Sequence, residues 1–208
     1  MTPPPVLQWR GLAFGYGGQP PLFNGLDLAL PAGVTLIDGE TGCGKSTLLR
    51  LLAGELAGHG ERRLNGLRCG DDPTAWRQAV CWFDVRDPRF DALTAEGLMH
   101  RLRQTHAALD EAAWRQLHDR FGLAEHAGKP LYMLSRGSRQ KAALAVALNC
   151  QATLTLLDEA TAGLDAAALR TLALALQHLP RNTPRAVVMA SSVPLPGFTP
   201  AAHITLPG

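Results

Sequence analysis

The chain has 208 residues, and its 20 lysines and arginines against 18 aspartates and glutamates give a formal net charge of +2. With 46% hydrophobic and 18% charged residues, the composition is typical of a globular protein and excludes a disordered or fibrous chain. No apolar run approaches the roughly 18 residues that a membrane span requires, and no basic stripe indicates nucleic-acid binding. The N-terminus lacks the basic and apolar segments of a signal peptide, so we expect an intracellular protein.

The first quarter of the chain predicts two structural units. Short apolar stretches interrupted by glycine and proline fill residues 6–33, which favours antiparallel strands joined by turns. A buried strand at 34–37, a glycine-rich loop at 38–44 and a helix at 45–53 follow. An antiparallel β unit therefore precedes a strand–loop–helix unit.

Helices and strands alternate in the rest of the chain. Helices are predicted within 88–120, with Asp110 as a cap, and at 135–148 and 166–178, and strands at 153–157, 186–190 and 203–206. Such alternation indicates an α/β fold with a largely parallel sheet, in which 203–206 is an edge strand. We expect a single domain over 1–208, with a helical subdomain inserted at approximately 86–145.

The glycine-rich loop matches the pattern G-x-x-x-x-G-K-[ST]. The matching residues are Gly39, Glu40, Thr41, Gly42, Cys43, Gly44, Lys45 and Ser46. Glycines let backbone N–H groups curl around an anion without Cβ clashes, and the following helix adds its positive end. Lys45 would reach the β- and γ-phosphates and the Ser46 hydroxyl would bind Mg²⁺. The loop therefore predicts a site for nucleotide phosphates.

Two carboxylates follow the predicted strand at 153–157. The carboxyl ends of strands in an open α/β sheet form the ligand edge, so Asp158 and Glu159 are expected to face the glycine-rich loop. Asp158 would hold Mg²⁺ through Ser46 or water, and Glu159 would polarise an attacking water as general base. ATP or GTP hydrolysis is the favoured class, although two solvated acids at a strand end are the alternative. A small GTPase is disfavoured because the guanine-selecting N-K-x-D is missing.

In this order the motifs resemble those of the ATP-binding subunit of an ABC transporter, and the resemblance covers nearly the whole chain. Residues 134–141 resemble the family's signature motif and 162–165 its D-loop, while Tyr16 matches the aromatic residue that stacks on adenine. The resemblance implies a P-loop NTPase core with a mostly parallel sheet, an N-terminal antiparallel β subdomain and an inserted helical subdomain.

The resemblance also implies cofactors, partners and site residues. ATP and Mg²⁺ would bind between two cassettes closed head to tail, with Tyr16 and residues 39–47, including Thr47, on one side. Ser135, Gly137 and Asp165 of the other cassette would complete the site. Lys45 and Glu159 would be catalytic in an ATPase that drives a membrane-spanning subunit from the cytoplasmic face, with no role for nucleic acid.

Several residues depart from the family pattern. The second glycine of the signature is Arg136 and its glutamine is Ser138. Asp84 occupies the place of the Q-loop glutamine, where a carboxylate could accept Mg²⁺-bound water. Ser192, or Ser191 if the alignment slips by one, replaces the switch histidine; serine can hydrogen-bond the γ-phosphate but cannot carry the same charge. The sequence supports Mg-ATP binding more strongly than fast hydrolysis.

Two alternatives remain open. One is a regulatory cassette that uses ATP as a closure switch, or that pairs with a competent partner in a heterodimer. The other is a soluble machine of the same superfamily. That class is disfavoured because too few residues separate Lys45 from Ser135 for the long coiled coils of repair and chromosome proteins.

The cysteines and histidines give no metal pattern in the sequence. Cys43, Cys69, Cys81 and Cys150 show no C-x-x-C spacing, so free thiols are expected. Surface positions and no metal-like cluster are expected for the histidines at 59, 100, 106, 118, 126 and 203.

Overall fold

The computed structural model describes residues 4–106, 108–179, 183–191, 193 and 195–206. The strands in chain order are β1 (Leu7–Phe14), β2 (Phe23–Leu30), β3 (Gly33–Asp38), β4 (His59–Leu64), β5 (Leu67–Arg68), β6 (Val80–Cys81), β7 (Leu154–Leu157), β8 (Ala186–Ala190) and β9 (Ala202–Thr205). The α-helices are α1 (Lys45–Ala53), α2 (Pro73–Ala79), α3 (Ala95–Arg103), α4 (Glu111–Arg120), α5 (Arg136–Asn149) and α6 (Ala166–Gln177). None of the helices in these ranges is long and apolar enough to cross a membrane.

The parallel sheet has the order β6-β7-β8-β3-β9, and every pairing in it is parallel. β7 and β8 are buried along their whole length, which explains their continuous apolar sequences. All carboxyl ends lie along one edge, so the loops after β3, β7 and β8 are brought together. The expected α/β class, parallel sheet and edge strand are confirmed.

The antiparallel sheet has the order β2-β1-β4-β5 and covers one side of the parallel sheet together with α1. The Arg62 guanidinium of β4 lies 4.6 Å from the ring centroids of both Trp9 and Trp76. Trp76 belongs to α2 and donates its indole N–H to the Leu52 carbonyl near the end of α1, at 3.2 Å. A cation between two aromatic faces therefore joins the antiparallel sheet to the helix that begins at the glycine-rich loop.

Helices α3 to α6 cover the other side of the parallel sheet. Asp110 caps α4 by accepting a hydrogen bond from the Ala113 N–H at 2.9 Å, as expected, and Ser135 caps α5 through the Ser138 N–H at 3.1 Å. β4, β5 and α2 were not predicted from the sequence. β6 is short and contains only Val80–Cys81, because the chain leaves the sheet at Trp82.

The expectation for the histidines is wrong at two positions. His106 and His118 are only 8% and 7% exposed, and His106 lies beside Cys81 and Cys150, so the expectation of no metal-like cluster is also wrong. All four cysteines are free thiols, as expected. Hydrogen bonds from Cys81 and His106 lower the pKa of the Cys150 thiol to about 5.

Gly60 in β4 allows a test of the close approach between β4 and the bulge of β1. Gly60 has φ +97° opposite the β1 bulge, and a Cβ there would collide with the carbonyl oxygens of Arg10 and Gly11. Gly66 has a similar φ of +86° but open space around it. We expect Gly66→Ala to lower the free energy of unfolding by ~1 kcal/mol, from backbone strain alone, and Gly60→Ala by at least ~2 kcal/mol. Urea denaturation measures both, and equal losses would contradict the collision.

Candidate nucleotide-binding site

The glycine-rich loop leaves β3 and enters α1 with a backbone that side chains would obstruct. Gly39 has φ +142°, and a Cβ there would lie 2.6 Å from the Cys43 sulfur and 3.0 Å from the Leu206 carbonyl oxygen. Gly44 has φ +99°, and its Cβ would press on the side chain of Leu22. Glycine is therefore required at both ends of the loop, because a side chain at either position would collide with the residues packed against it.

Lys45 is the first residue of α1 and is only 6% exposed. Its ammonium group donates hydrogen bonds to the carbonyl oxygens of Gly39 and Glu40, at 2.8 and 2.9 Å. Both of these partners are neutral carbonyl groups, and Lys45 forms no ion pair with a carboxylate among the described residues, so its positive charge is not neutralised inside the loop. A buried cation among backbone groups at a helix N-terminus is suited to binding phosphate.

Ser46 and Asp158 join the loop to the end of β7. The Ser46 hydroxyl lies 3.0 and 2.8 Å from the two carboxylate oxygens of Asp158. Burial raises the pKa of Asp158, opposed by the hydrogen bond from Ser46 and the positive charge of Arg86. A hydroxyl oxygen beside a carboxylate is the kind of ligand pair that Mg²⁺ prefers.

Arg86 is a site residue that sequence analysis missed. Its guanidinium donates to the Asp158 carboxylate at 3.2 Å and to both oxygens of Asp84, at 2.8 and 3.0 Å. Partial burial disfavours the charged form of Asp84, but the hydrogen bonds from Arg86 outweigh this effect and lower its pKa. Arg86 therefore bridges the two carboxylates expected to serve the metal. One feature of the sequence could have indicated this ion pair: Asp84 and Arg86 are two residues apart in a segment without helical periodicity.

Glu159 lies in a strained turn directly after Asp158. Its φ is +46°, in the left-handed region that non-glycine residues seldom adopt. The Gln140 side chain of α5, also missed, donates to the carbonyl oxygens of Asp158 and Glu159 at 3.4 Å each. A cavity of 290 Å³ opens here, lined in part by Asp84, Arg86, Gln140, Asp158 and Glu159. The carboxylates are thus grouped around a space beside α5.

Tyr16 and Thr47 lie together next to the start of α1. The Tyr16 hydroxyl is 3.1 Å from the Thr47 hydroxyl, and its ring packs edge-on against Phe14 with centroids 5.0 Å apart. Tyr16 is still 41% exposed. The ring therefore remains available for stacking beside the loop.

The signature-like segment forms a separate group. A Cβ on Gly137 would collide with the Gly163 carbonyl oxygen, so the start of α5 packs directly on the D-loop-like turn. Asp165 caps α6 and accepts a hydrogen bond from Lys141 at 2.7 Å, which lowers the pKa of Asp165 to about 2. In the described part of the chain, no hydrogen bond or ion pair joins Ser135, Gly137 or Asp165 to the glycine-rich loop.

Ser191, the alternative residue for the switch position, directly follows β8. Ser191 is only 3% exposed, and its hydroxyl bonds to the Thr161 hydroxyl at 2.5 Å and the Val193 carbonyl oxygen at 2.6 Å. Its hydrogen bonds are therefore satisfied inside the protein. Ser192, the residue expected at the switch position, lies outside the described residues.

Comparisons with known proteins agree with this geometry. A family model for ABC transporter matches residues 23–162. The nickel import ATP-binding protein NikO of Rhodobacter capsulatus is 34% identical over 207 residues, covering 90% of this chain and 79% of the relative. The cytochrome c biogenesis ATP-binding export protein CcmA of Paramagnetospirillum magneticum is 38% identical over 168 residues, covering 78% and 77%. A solved ATP-binding subunit of an ABC transporter has the same fold, with TM-score 0.77 and 21% identity over 90% of this chain and 80% of that chain.

The Arg86 bridge leads to a prediction about Mg²⁺. In Arg86→Gln the carboxylate of Asp158 no longer has a competing cation, so Mg²⁺ should support nucleotide binding at a roughly two- to fivefold lower concentration, given the usual strength of an exposed ion pair. The measurement is a Mg²⁺ titration of binding of a fluorescent non-hydrolysable ATP analogue. Arg89→Gln is the matched control, because Arg89 pairs with Asp87 at 2.6 Å. An identical Mg²⁺ requirement in both variants would contradict the competition.

Proposed function

The chain belongs to the ABC transporter family and is an ATP-binding subunit of such a transporter, and we propose that it hydrolyses Mg-ATP between two cassettes to drive a separate membrane-spanning subunit. The observation that carries this proposal is the contact between Ser46 and Asp158, 112 residues apart in sequence. It places a hydroxyl and a carboxylate beside a lysine-bearing phosphate loop, as the hydrolysis of a nucleotide requires.

Each group near the loop has a distinct proposed role. Lys45 and the backbone of residues 39–47 hold the phosphates and stabilise the negative charge of the phosphoryl group during transfer. Tyr16 stacks on the base, and Glu159 accepts a proton from the attacking water. Ser46 and Asp158 would hold Mg²⁺, and Asp84 would accept a hydrogen bond from a water molecule bound to the ion. The ion would neutralise negative charge on the phosphates.

The second cassette would supply the opposite side of the nucleotide. Ser135 and Arg136 are both exposed at the N-terminus of α5, a 14-residue helix whose positive end favours an anion. The contact of Gly137 with Gly163 and the ion pair between Lys141 and Asp165 hold this end against the D-loop-like turn. Ser192 would add a hydrogen bond to the γ-phosphate. In this proposal Ser135, Gly137 and Asp165 serve the nucleotide of the facing cassette.

We propose that the membrane subunit docks in the groove beside Asp84 and that the chain works on the cytoplasmic face of the membrane. The groove encloses 1200 Å³ between α1, the segment after β6 and α3. Trp82, Phe83 and Phe90 give it partly buried aromatic surface, and Arg101 supplies a positive charge that takes part in no ion pair among the described residues. A short helix with an apolar face and an acidic residue opposite Arg101 would fit this lining, and it would sit beside the carboxylates of the nucleotide site.

A hydrolysis-impaired cassette is the second candidate function. Arg86 already pairs with the carboxylates of Asp84 and Asp158, so a guanidinium holds the place of a metal ion and offsets one of the negative charges before any metal binds. In this alternative the chain closes around ATP as a switch, and a competent partner cassette performs the turnover.

Glu159→Gln separates these two functions. If Glu159 is the general base, the variant should lose at least about 100-fold in ATP turnover, retain ATP binding and accumulate as a closed dimer in the presence of ATP. Phosphate release and size-exclusion chromatography measure the two effects. Glu125→Gln, a glutamate with a 78% exposed side chain, is the control. Wild-type turnover in Glu159→Gln would mean that another group activates water, and no turnover in the wild type alone would favour the switch.

Membrane docking is tested by co-purification from host membranes in mild detergent with ATP. A multi-span membrane protein should be recovered in stoichiometric amount with the wild type, and in much smaller amount with Arg101→Glu, which reverses charge in the groove. Arg115→Glu on α4, whose side chain is 64% exposed, is the control that should behave as wild type. Recovery of soluble proteins alone would refute docking and leave the ATP site intact.

A further inference from the structure

A buried cluster of metal-ligating side chains lies outside the nucleotide site. Cys81 ends β6, Cys150 follows the last residue of α5, and His106 lies three residues beyond α3. The two sulfur atoms and a His106 ring nitrogen all lie within 4.8 Å of one another. Cys81 and Cys150 are fully buried and His106 is 8% exposed. Two thiols and an imidazole converge from three separate segments.

Backbone hydrogen bonds hold these segments in place without help from the side chains. The N–H of Cys150 donates to the Val146 carbonyl at 3.0 Å, and the N–H of His106 donates to the Leu102 carbonyl at 2.8 Å. The Asp110 N–H donates to the Asn149 carbonyl at 3.1 Å and ties the segment after α3 to the end of α5. The three ligand positions are therefore fixed by the main chain.

The His106 ring is oriented as a ligating imidazole usually is. Its Nδ1 lies 3.1 Å from the Gln78 carbonyl oxygen, which can only accept a hydrogen bond. Nδ1 therefore carries the proton in the neutral ring, and Nε2 keeps its lone pair. A backbone carbonyl that fixes the tautomer in this way is a regular feature of histidine metal ligands.

A half-buried positive charge lies near the two thiols. The Arg185 guanidinium donates to the Thr155 hydroxyl at 3.0 Å and the Leu148 carbonyl at 3.3 Å, and its Nε is buried without a hydrogen-bond partner among the described residues. Its charge acts on both Cys81 and Cys150. A cluster with a net charge of −1 would neutralise this guanidinium, whereas an electrically neutral cluster would leave it uncompensated.

We infer that Cys81, Cys150 and His106 form a three-ligand site for a thiophilic metal ion, and that the ion is Cu⁺. Thiolates select Cu⁺ and Zn²⁺. Structural Zn²⁺ takes four ligands, whereas the cluster offers three within the described residues. Cu⁺ with two thiolates also carries the net charge of −1 that Arg185 balances. Each thiol that binds releases its proton, and His106 binds as the neutral ring.

The site would connect the two halves of the nucleotide machinery. β6 leads into Asp84 and Arg86, and α5 begins directly after its signature-like cap, Ser135. A metal ion bound to Cys81 and Cys150 would cross-link the strand before Asp84 to the far end of this helix. Metal binding should therefore raise the melting temperature of the reduced chain.

Anaerobic titration of the full-length reduced chain with Cu⁺, buffered by a chromophoric chelator, tests the site. One Cu⁺ should bind per chain, with thiolate-to-copper charge-transfer absorption in the near ultraviolet. Cys150→Ala and His106→Gln should bind at least ~10-fold more weakly. Cys69→Ala is the matched control, because Cys69 is a half-buried thiol beside Arg62 of the antiparallel sheet. It should bind as the wild type does.

Thermal melts distinguish loss of the site from loss of the fold. Cu⁺ should raise the melting temperature of the wild type and of Cys69→Ala, and should leave that of Cys150→Ala unchanged. Failure of the wild type to bind Cu⁺, or equal binding by Cys150→Ala, would overturn the site. Tighter binding of Zn²⁺ than of Cu⁺ would overturn the three-ligand assignment. A Cys81–Cys150 disulfide in the purified protein, with no metal bound after reduction, would also overturn it.

Discussion

The hydrogen bond from Ser46 to Asp158 depends on the parallel pairing of β7, β8 and β3, and the rest of the nucleotide site is arranged around it. Parallel register places the end of β7 at the same edge as the loop that follows β3. Asp158 has an 8% exposed side chain, where an unpaired carboxylate would be costly to ionise. The Ser46 hydroxyl and the Arg86 guanidinium offset that cost, so the acid can stay charged beside the phosphate loop.

A pair of arginines connects this acid to the signature-like helix. Arg139 of α5 donates to the Val85 carbonyl at 2.7 Å and to the Asp91 carboxylate at 2.6 Å, with its side chain only 17% exposed. The segment that Arg139 contacts also contains Arg86, whose guanidinium donates a hydrogen bond to Asp158. A shift of α5 when a second cassette docks would therefore move the segment around Val85 and change the contact of Arg86. The signature-like helix and Asp158 are therefore coupled through one short segment, by contacts that all lie within the described residues.

The sequence predicted what depends on local pattern. The helix at 45–53, the cap at Asp110 and the strand at 186–190 follow from periodicity and capping chemistry, and the structure has them at those residues. Prediction from the sequence failed where the burial of a residue depends on partners that are distant in the chain. β4 has a polar sequence because Arg62 is sandwiched between Trp9 and Trp76, which no hydrophobic pattern can reveal. Cys81, His106 and Cys150 likewise have no common spacing, since three different segments bring them together.

The replacement of the usual Q-loop glutamine by Asp84 is best understood together with Arg86. A neutral glutamine beside Asp158 and Glu159 leaves two negative charges for a divalent cation. Asp84 adds a third, and Arg86 removes it through a bidentate ion pair, so the sum of charges at the site is unchanged. The departure alters the order of events rather than the electrostatic balance, because Arg86 must release Asp158 before a cation can take its place. On charge alone, a cassette with this pair is as well suited to Mg-ATP as one with glutamine. A loss of turnover would then arise from the need to exchange the guanidinium for the ion, from the serine at the switch position, or from Arg136 and Ser138 in the signature-like segment.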